Sequence, residues 1–339
     1  MLNISKMIFM LSMFMGTIMA ISSSSWLGAW MGLEINLLAF IPLMSNLNNL
    51  LTNESALKYF LIQALASSML LFSVIMSFFN PSNFFMLNMT EINQIMVNFS
   101  LFIKMGAAPF HFWFPSVMSG LNWINSLLLM TWQKIAPLIL VSYSMNYYFF
   151  IIVIFFSAWT GAIGGLNQTN LRTLMAFSSI NHLSWILSSM LVSELLWLIY
   201  FVFYSFLSMI MVYFWNNFKI YSIHQMYNTL NFNFMIKFLI MINLLSLGGL
   251  PPFLGFIPKL LVTQFLSIHQ MYLMMTFLVL CSLITLFFYM RITFSAMMIM
   301  YPTLKNNKFS IFNNFTLTLG LSSLSILGFS SISLIYSFL

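Results

Sequence analysis

Stretches of about 18–25 predominantly apolar residues follow one another along nearly the whole chain, and they constrain its fold more than any other feature. Only 4% of the 339 residues are charged, against roughly 25% in a soluble domain. So few charges cannot make a water-facing surface, so lipid must be the solvent for most of the exterior. In hydrocarbon every backbone N–H and C=O must be satisfied within the segment, which leaves helical bundles or closed barrels. The runs are too long for barrel strands and lack their period-two alternation, so the expected class is an all-α polytopic membrane protein.

Eleven spans are expected: 7–22, 26–44, 57–79, 92–108, 121–145, 147–166, 171–191, 194–216, 235–266 (interrupted), 271–297 and 311–338. The more polar stretch from Asn217 to Asn233 reads as an interfacial connection, partly helical. The first run, Met7 to Ile21, has no small-residue cleavage pattern at Ser22–Ser25 and reads as the first span, not a signal peptide. The whole chain, 1–339, reads as one transmembrane domain.

Parity tests the count. Lys6, Lys58, Arg172, Lys219, Lys237, Lys305 and Lys308 fall on one side with Glu54, and Arg291 points the same way. The opposite loops carry Glu91 and Glu194 and no Lys or Arg. Positive-inside asymmetry then puts the N-terminus on the cytoplasmic or matrix side and the C-terminus across the membrane. The formal charge of +7 forms no cluster or stripe, which argues against nucleic acid as a partner. The single cysteine, Cys281, excludes a disulfide framework or a cysteine metal site.

Two spans are broken by related segments. Gly106-x-x-Pro109-Phe110-x4-Pro115 matches Gly249-x-x-Pro252-Phe253-x4-Pro258 at a constant offset of 143 residues. The breaks lie in the fourth and ninth spans; an odd separation makes the copies cross in opposite directions, as in an inverted-topology repeat. Two five-helix repeats, about 7–145 and 147–297, plus a C-terminal helix at 311–338, are expected on this basis.

Four charges fall inside spans or at a break: Glu34, Lys104, Lys134 and Lys259. Each costs roughly 2.5–3.5 kcal/mol at a helix centre, so the four together cost on the order of 10–14 kcal/mol, comparable to a domain's net stability. Structural pairing and snorkelling are the bland account, but snorkelling does not serve a lysine near mid-span. The functional account is a proton relay. Burial disfavours a charged lysine and a nearby carboxylate favours it, by ~4 kcal/mol at 4 Å and an effective dielectric of 20. Lysine, unlike arginine, can release its proton there. His111, inside the first break, and His182, in the polar stripe Ser178-Ser-Ile-Asn-His-Leu-Ser184, are further candidates; for His182 interhelical hydrogen bonding is an equal alternative. His224 and His269 fall in connections and read as solvated.

Several long motifs add a resemblance. They are Trp26-Leu-Gly-Ala-Trp-Met-Gly-Leu-Glu34-Ile-Asn36, Lys104-Met-Gly-Ala-Ala-Pro-Phe-His-Phe-Trp-Phe-Pro115, Thr131-Trp-Gln-Lys134-Ile-Ala-Pro137, Gly161-Ala-Ile-Gly-Gly-Leu-Asn-Gln168 and Leu247-Gly-Gly-Leu-Pro-Pro-Phe-Leu-Gly-Phe-Ile-Pro-Lys259. Over essentially the whole chain the sequence resembles the antiporter-like membrane-arm subunits of respiratory complex I, in an insect-like form. The resemblance implies a proton-translocating core subunit of an NADH:ubiquinone reductase. Glu34 would be the carboxylate partner of Lys104, the switching lysine; Lys134 would connect two half-channels, and Lys259 would lie toward the exit or the next subunit. It also implies that flavin, iron–sulfur clusters and ubiquinone belong to partner subunits, with no cofactor or metal in this chain. The expected partners are other membrane-arm subunits, including further antiporter-like chains, and phospholipid. The expected location is the mitochondrial inner membrane, N-terminus in the matrix and C-terminus in the intermembrane space. From the buried charges alone, a self-sufficient cation/proton antiporter fits as well.

Overall fold

The structure, a computed structural model, describes residues 4–46, 49–79, 91–230, 234–298 and the single positions 320, 322, 323 and 325. The C-terminal helix expected at 311–338 and the basic residues Lys305 and Lys308 lie outside the described residues, apart from those single positions. The described elements are helices, α1 Ile4–Ser22, α2 Trp26–Met44, α3 Leu50–Phe79, α4 Glu91–Met105, α5 Trp113–Gly120, α6 Trp123–Met130 and α7 Trp132–Tyr143. Next come α8 Tyr147–Gly164, α9 Leu171–Met190, α10 Glu194–Phe218, α11 Ile223–Leu230, α12 Phe234–Gly248, α13 Phe256–Ile268 and α14 Tyr272–Met298. Two compact units form, Met1–Phe156 and Ser157–Leu339.

Among the described residues, seven stretches are long and apolar enough to cross a membrane: α1, α2, α3, α6 with α7, α8, α10 and α14. The other expected spans fall short for two physical reasons. The helices flanking the breaks, α4, α12 and α13, are 15, 15 and 13 residues long. Helix α9 has the length but carries a polar stripe, and nearly all of it is buried in the second unit, so it faces protein and not lipid. Its serines cost little there, because Ser178, Ser179, Ser184, Ser188 and Ser189 each donate to the carbonyl three residues back.

The span expected at 121–145 is not one continuous helix. Thr131, at φ −112° and ψ −70°, divides it into α6 and α7. The Thr131 hydroxyl bonds the Leu127 carbonyl at 2.8 Å, and the Lys134 N–H reaches the Thr131 carbonyl at 3.2 Å. Lys134 therefore stands in the first turn of a helix and not at the middle of one.

The connection expected between 217 and 233 does contain a helix, α11. Lys219 leaves α10 in the left-handed conformation, and the Leu171 N–H donates to the Tyr221 carbonyl and the Ile223 N–H to the Thr169 carbonyl, 3.0 Å each, tying the α8–α9 loop to the segment between α10 and α11. Arg172 lies over the Tyr221 ring at 4.8 Å, and Arg291 donates to the Leu166 carbonyl. Basic residues expected on one side of the membrane, Arg172, Lys219 and Arg291, thus converge at one end of the second unit.

Close helix approach recurs in both units. In the first, a Cβ on Gly16 of α1 would lie 2.9 Å from the Asn36 backbone nitrogen of α2. In the second, a Cβ on Gly161 of α8 would lie 2.6 Å from the backbone nitrogen of Asn181 of α9. Gly161 and Asn181 each stand 145 residues on from Gly16 and Asn36. Replacing Gly16 or Gly161 by valine is expected to force these helix pairs apart, at about 1–3 kcal/mol for overpacking. Thermal unfolding of the purified protein should show the loss, whereas Met15→Leu on the exposed face of α1 should not.

Candidate functional site

Both breaks are built the same way, from glycine. Gly106 at φ +72° and Gly249 at φ +83° end α4 and α12 in the left-handed conformation that glycine adopts without strain. Gly106 and Ala107 bond back to Ile103 and Phe102 at 3.1 Å each, and Gly249 and Leu250 to Ser246 and Leu245 at 3.0 and 3.4 Å. These are Schellman caps. Beyond them Phe110→Ala107 and Phe114→His111, 2.9 Å each, recur as Phe253→Leu250 at 3.0 Å and Ile257→Leu254 at 3.2 Å. All four bonds repeat at the offset of 143 residues that the Gly and Pro pattern sets.

A helix that stops in an apolar surrounding leaves carbonyls without N–H partners, and here side chains supply them. The Trp113 indole donates to the Ile103 carbonyl at 3.1 Å, and the Gln63 amide to the Lys104 carbonyl at 3.3 Å. In the second break the Lys259 ammonium itself donates to the Gly248 carbonyl at 2.8 Å. Lys259 also crowds Gly249, where a Cβ would lie 2.9 Å from its Nζ.

In the first unit Lys104, two residues before the break, faces a small polar cavity with room for one water at most. Leu33, Asn36 and Leu37 of α2, Tyr59 and Gln63 of α3, Lys104 of α4, and Gln133 and Pro137 of α7 line it. The spacings of three and four residues put each set on one helix face. Gln133 donates to the Asn36 side-chain oxygen at 3.0 Å, and the Tyr59 hydroxyl makes a longer contact of 3.5 Å to the Gln133 oxygen.

The expected site residues take distinct places. Lys104 is 7% exposed. Glu34, on the α2 helix that also lines the cavity, is half-buried, and its Oε2 makes no hydrogen bond. Lys134, 1% exposed, holds its Nζ 4.8 Å from the Phe114 ring centre, and the Phe114 side chain packs on Gly106. His111 is buried but turned elsewhere, its ring against Phe112 at 4.4 Å and its Nδ1 without a hydrogen bond. In the second unit Lys259 turns back to Gly248, while His182 bonds the Tyr200 hydroxyl of α10 at 3.0 Å and its ring meets Tyr204. His224 and His269 are exposed.

Residue-by-residue reading missed Asn36, Tyr59, Gln63 and Gln133 as parts of a site. A weak signal existed: Asn36 follows Glu34 by two residues, Gln133 precedes Lys134, and Tyr59 and Gln63 share a helix face. The second break yields a sharp expectation. Gly249→Ala adds about 1–2 kcal/mol of left-handed strain and pushes Lys259 off the Gly248 carbonyl, whereas a Cβ at Gly248 meets nothing nearer than 3.5 Å. Gly249→Ala should therefore lower the thermal stability of the purified protein, and Gly248→Ala should leave it near wild type.

Comparison with known proteins extends this picture. The family described as NADH:quinone oxidoreductase/Mrp antiporter, transmembrane, matches residues 23–285. NADH-ubiquinone oxidoreductase chain 2 of Anopheles gambiae is 53% identical over 340 residues, 98% of each chain. The protein of the same name from Locusta migratoria is 46% identical, covering 88% of this chain and 87% of that one. Among solved structures, a chain of respiratory complex I from Thermus thermophilus superposes with TM-score 0.81 at 19% identity, over 96% of this chain and 77% of that one. A chain of the Mrp complex from Dietzia sp. DQ12-45-1b superposes with TM-score 0.70 at 15% identity, over 84% and 59%. These two likenesses concern the fold. With a match over most of its length and near full-length relatives above half identity, the chain belongs to the NADH:quinone oxidoreductase/Mrp antiporter family of membrane proteins.

Proposed function

We propose that the chain is a proton-translocating membrane-arm subunit of respiratory complex I, driven by NADH-to-ubiquinone electron transfer in partner subunits. The observation that carries this reading is buried Lys104 in the last turn of α4, lining a small polar cavity together with Asn36 of α2, the helix that carries Glu34. A carboxylate held near a lysine but out of contact can change its attraction by moving. Between 8 and 4 Å at an effective dielectric of 20 the change is about 2 kcal/mol, roughly 30-fold in the lysine's hold on a proton. Contact ion pairing would freeze that freedom, and full separation would remove it.

Lys104 is the switching group in this scheme, and Lys134 and Lys259 accept and pass on protons within their own units. Helix geometry supports a difference between them. Lys104 lies in the last turn of α4, the carbonyl end that favours a cation, whereas Lys134 and Lys259 lie in first turns, the amide end. His182, joined to Tyr200, is a further relay group, and His111 a weaker one.

The wider architecture is part of the same proposal. Matching caps 143 residues apart and matching Gly/Asn contacts 145 apart support two inverted repeats, about 7–145 and 147–297. In that arrangement α4 with α5, α9, and α12 with α13 also cross the membrane. With a C-terminal helix at 311–338 they bring the spans to eleven. The chain then sits in the mitochondrial inner membrane with its N-terminus in the matrix and its C-terminus in the intermembrane space. Its partners are other membrane-arm chains and phospholipid, and the flavin, iron–sulfur and quinone chemistry lies in those partner subunits. The names of the curated relatives favour a subunit over a self-sufficient antiporter.

Lys104→Met is expected to abolish proton translocation by the assembled complex in liposomes while leaving assembly intact. A normal proton yield from a fully assembled Lys104→Met complex would defeat the relay.

A further inference from the structure

We propose that Gln133 is a positioning residue, a clasp that couples the helix carrying Glu34 to the helix segment carrying Lys134. The proposal rests on the relay reading above and adds a residue to it. Gln133 immediately precedes Lys134, and its amide donates to Asn36, two residues beyond Glu34, at 3.0 Å. Its oxygen faces the Tyr59 hydroxyl of α3 at 3.5 Å. One buried amide thus joins α2, α3 and α7 on the wall of the cavity that Lys104 also lines.

The local backbone gives this clasp leverage. The break at Thr131 separates the first turn of α7 from α6. Within α7, Pro137 has no N–H with which to bond the Gln133 carbonyl in the helical pattern. The Gln133 carbonyl therefore lacks the N–H partner that a continuous helix would give it, and the side-chain bond to Asn36 takes a larger share in fixing this turn. Breaking its bond to Asn36 lets α2 and the start of α7 shift against each other, which changes the Glu34–Lys104 separation.

The chemistry suits a clasp better than a proton carrier. A side-chain amide has fixed donors and a fixed acceptor and does not titrate near neutral pH. Asn36, Gln63 and Gln133 can orient a water or a lysine without taking its proton. The titratable groups around them are Glu34 of α2, Tyr59 of α3, Lys104 of α4 and Lys134 of α7. Any pH dependence is theirs, tuned by the geometry the clasp maintains.

The test uses the assembled complex in liposomes, reading NADH-driven turnover, quinone KM and the pH profile of turnover. Gln133→Leu is expected to assemble, to lower kcat roughly three- to tenfold, the loss expected for one buried hydrogen bond, and to displace the pH profile, with quinone KM unchanged. Gln133→Glu should restore much of the rate, because a carboxylate accepts from Tyr59 and from a reoriented Asn36 amide, while its own titration moves the profile. Asn36→Leu combined with Gln133→Leu should be little worse than either alone. Wild-type rate and pH profile in assembled Gln133→Leu would overturn the clasp. So would a lower kcat without any movement of the profile, which is the mark of a merely structural role. If Gln133→Leu does not assemble, Asn36→Leu, which removes the other half of the same bond, decides, and wild-type rate or an unmoved pH profile there overturns the proposal. Lys104→Met, run in parallel, separates the two ideas: pumping retained by Lys104→Met removes the relay, whereas pumping lost in Lys104→Met with Gln133→Leu unaffected removes only the clasp.

Discussion

Carbonyl groups set free where a helix stops inside an apolar region are the constraint on which the site depends. Hydrocarbon offers them nothing, so the protein must bring donors to them. At α4 the donors are a glycine-capped backbone, the Trp113 indole and the Gln63 amide; at α12 they are a second glycine cap and Lys259. Satisfying the breaks therefore draws polar side chains to the same depth as the lysines. The cavity beside Lys104 is a consequence of that requirement as much as a separate feature.

Buried polarity is handled differently in α9. Its serines bond their own helix, so a polar stripe is enclosed in the second unit with little left for neighbours to satisfy. His182 is the exception, reaching Tyr200 on α10. In the first unit amides and a phenol meet across helices instead. Cross-helix bonds fix the relative positions of elements, whereas bonds within a helix do not. In the first unit a small helix displacement alters the surroundings of Lys104; in the second it alters the bond between Lys259 and Gly248.

The two breaks show how far a sequence pattern carries. Gly106 and Gly249 match in the sequence itself because a left-handed cap and a Pro-containing turn need particular residues at fixed spacing. The same local logic missed the Thr131 interruption, since Thr131 carries no Gly or Pro signal and its hydroxyl bond to Leu127 is a small perturbation of a helical turn. His111, placed in the break by the sequence, lies with its ring against Phe112.

The apolar runs, their charges and the paired breaks determined a helical membrane protein and singled out Glu34, Lys104, Lys134 and Lys259, because hydropathy, charge cost and cap chemistry are local properties of a chain. Tertiary structure alone decided that Asn36, Tyr59, Gln63 and Gln133 meet beside Lys104. Those positions span almost a hundred residues and three further helices, and side-chain convergence at that range is set by how helices pack, which no single stretch of sequence specifies.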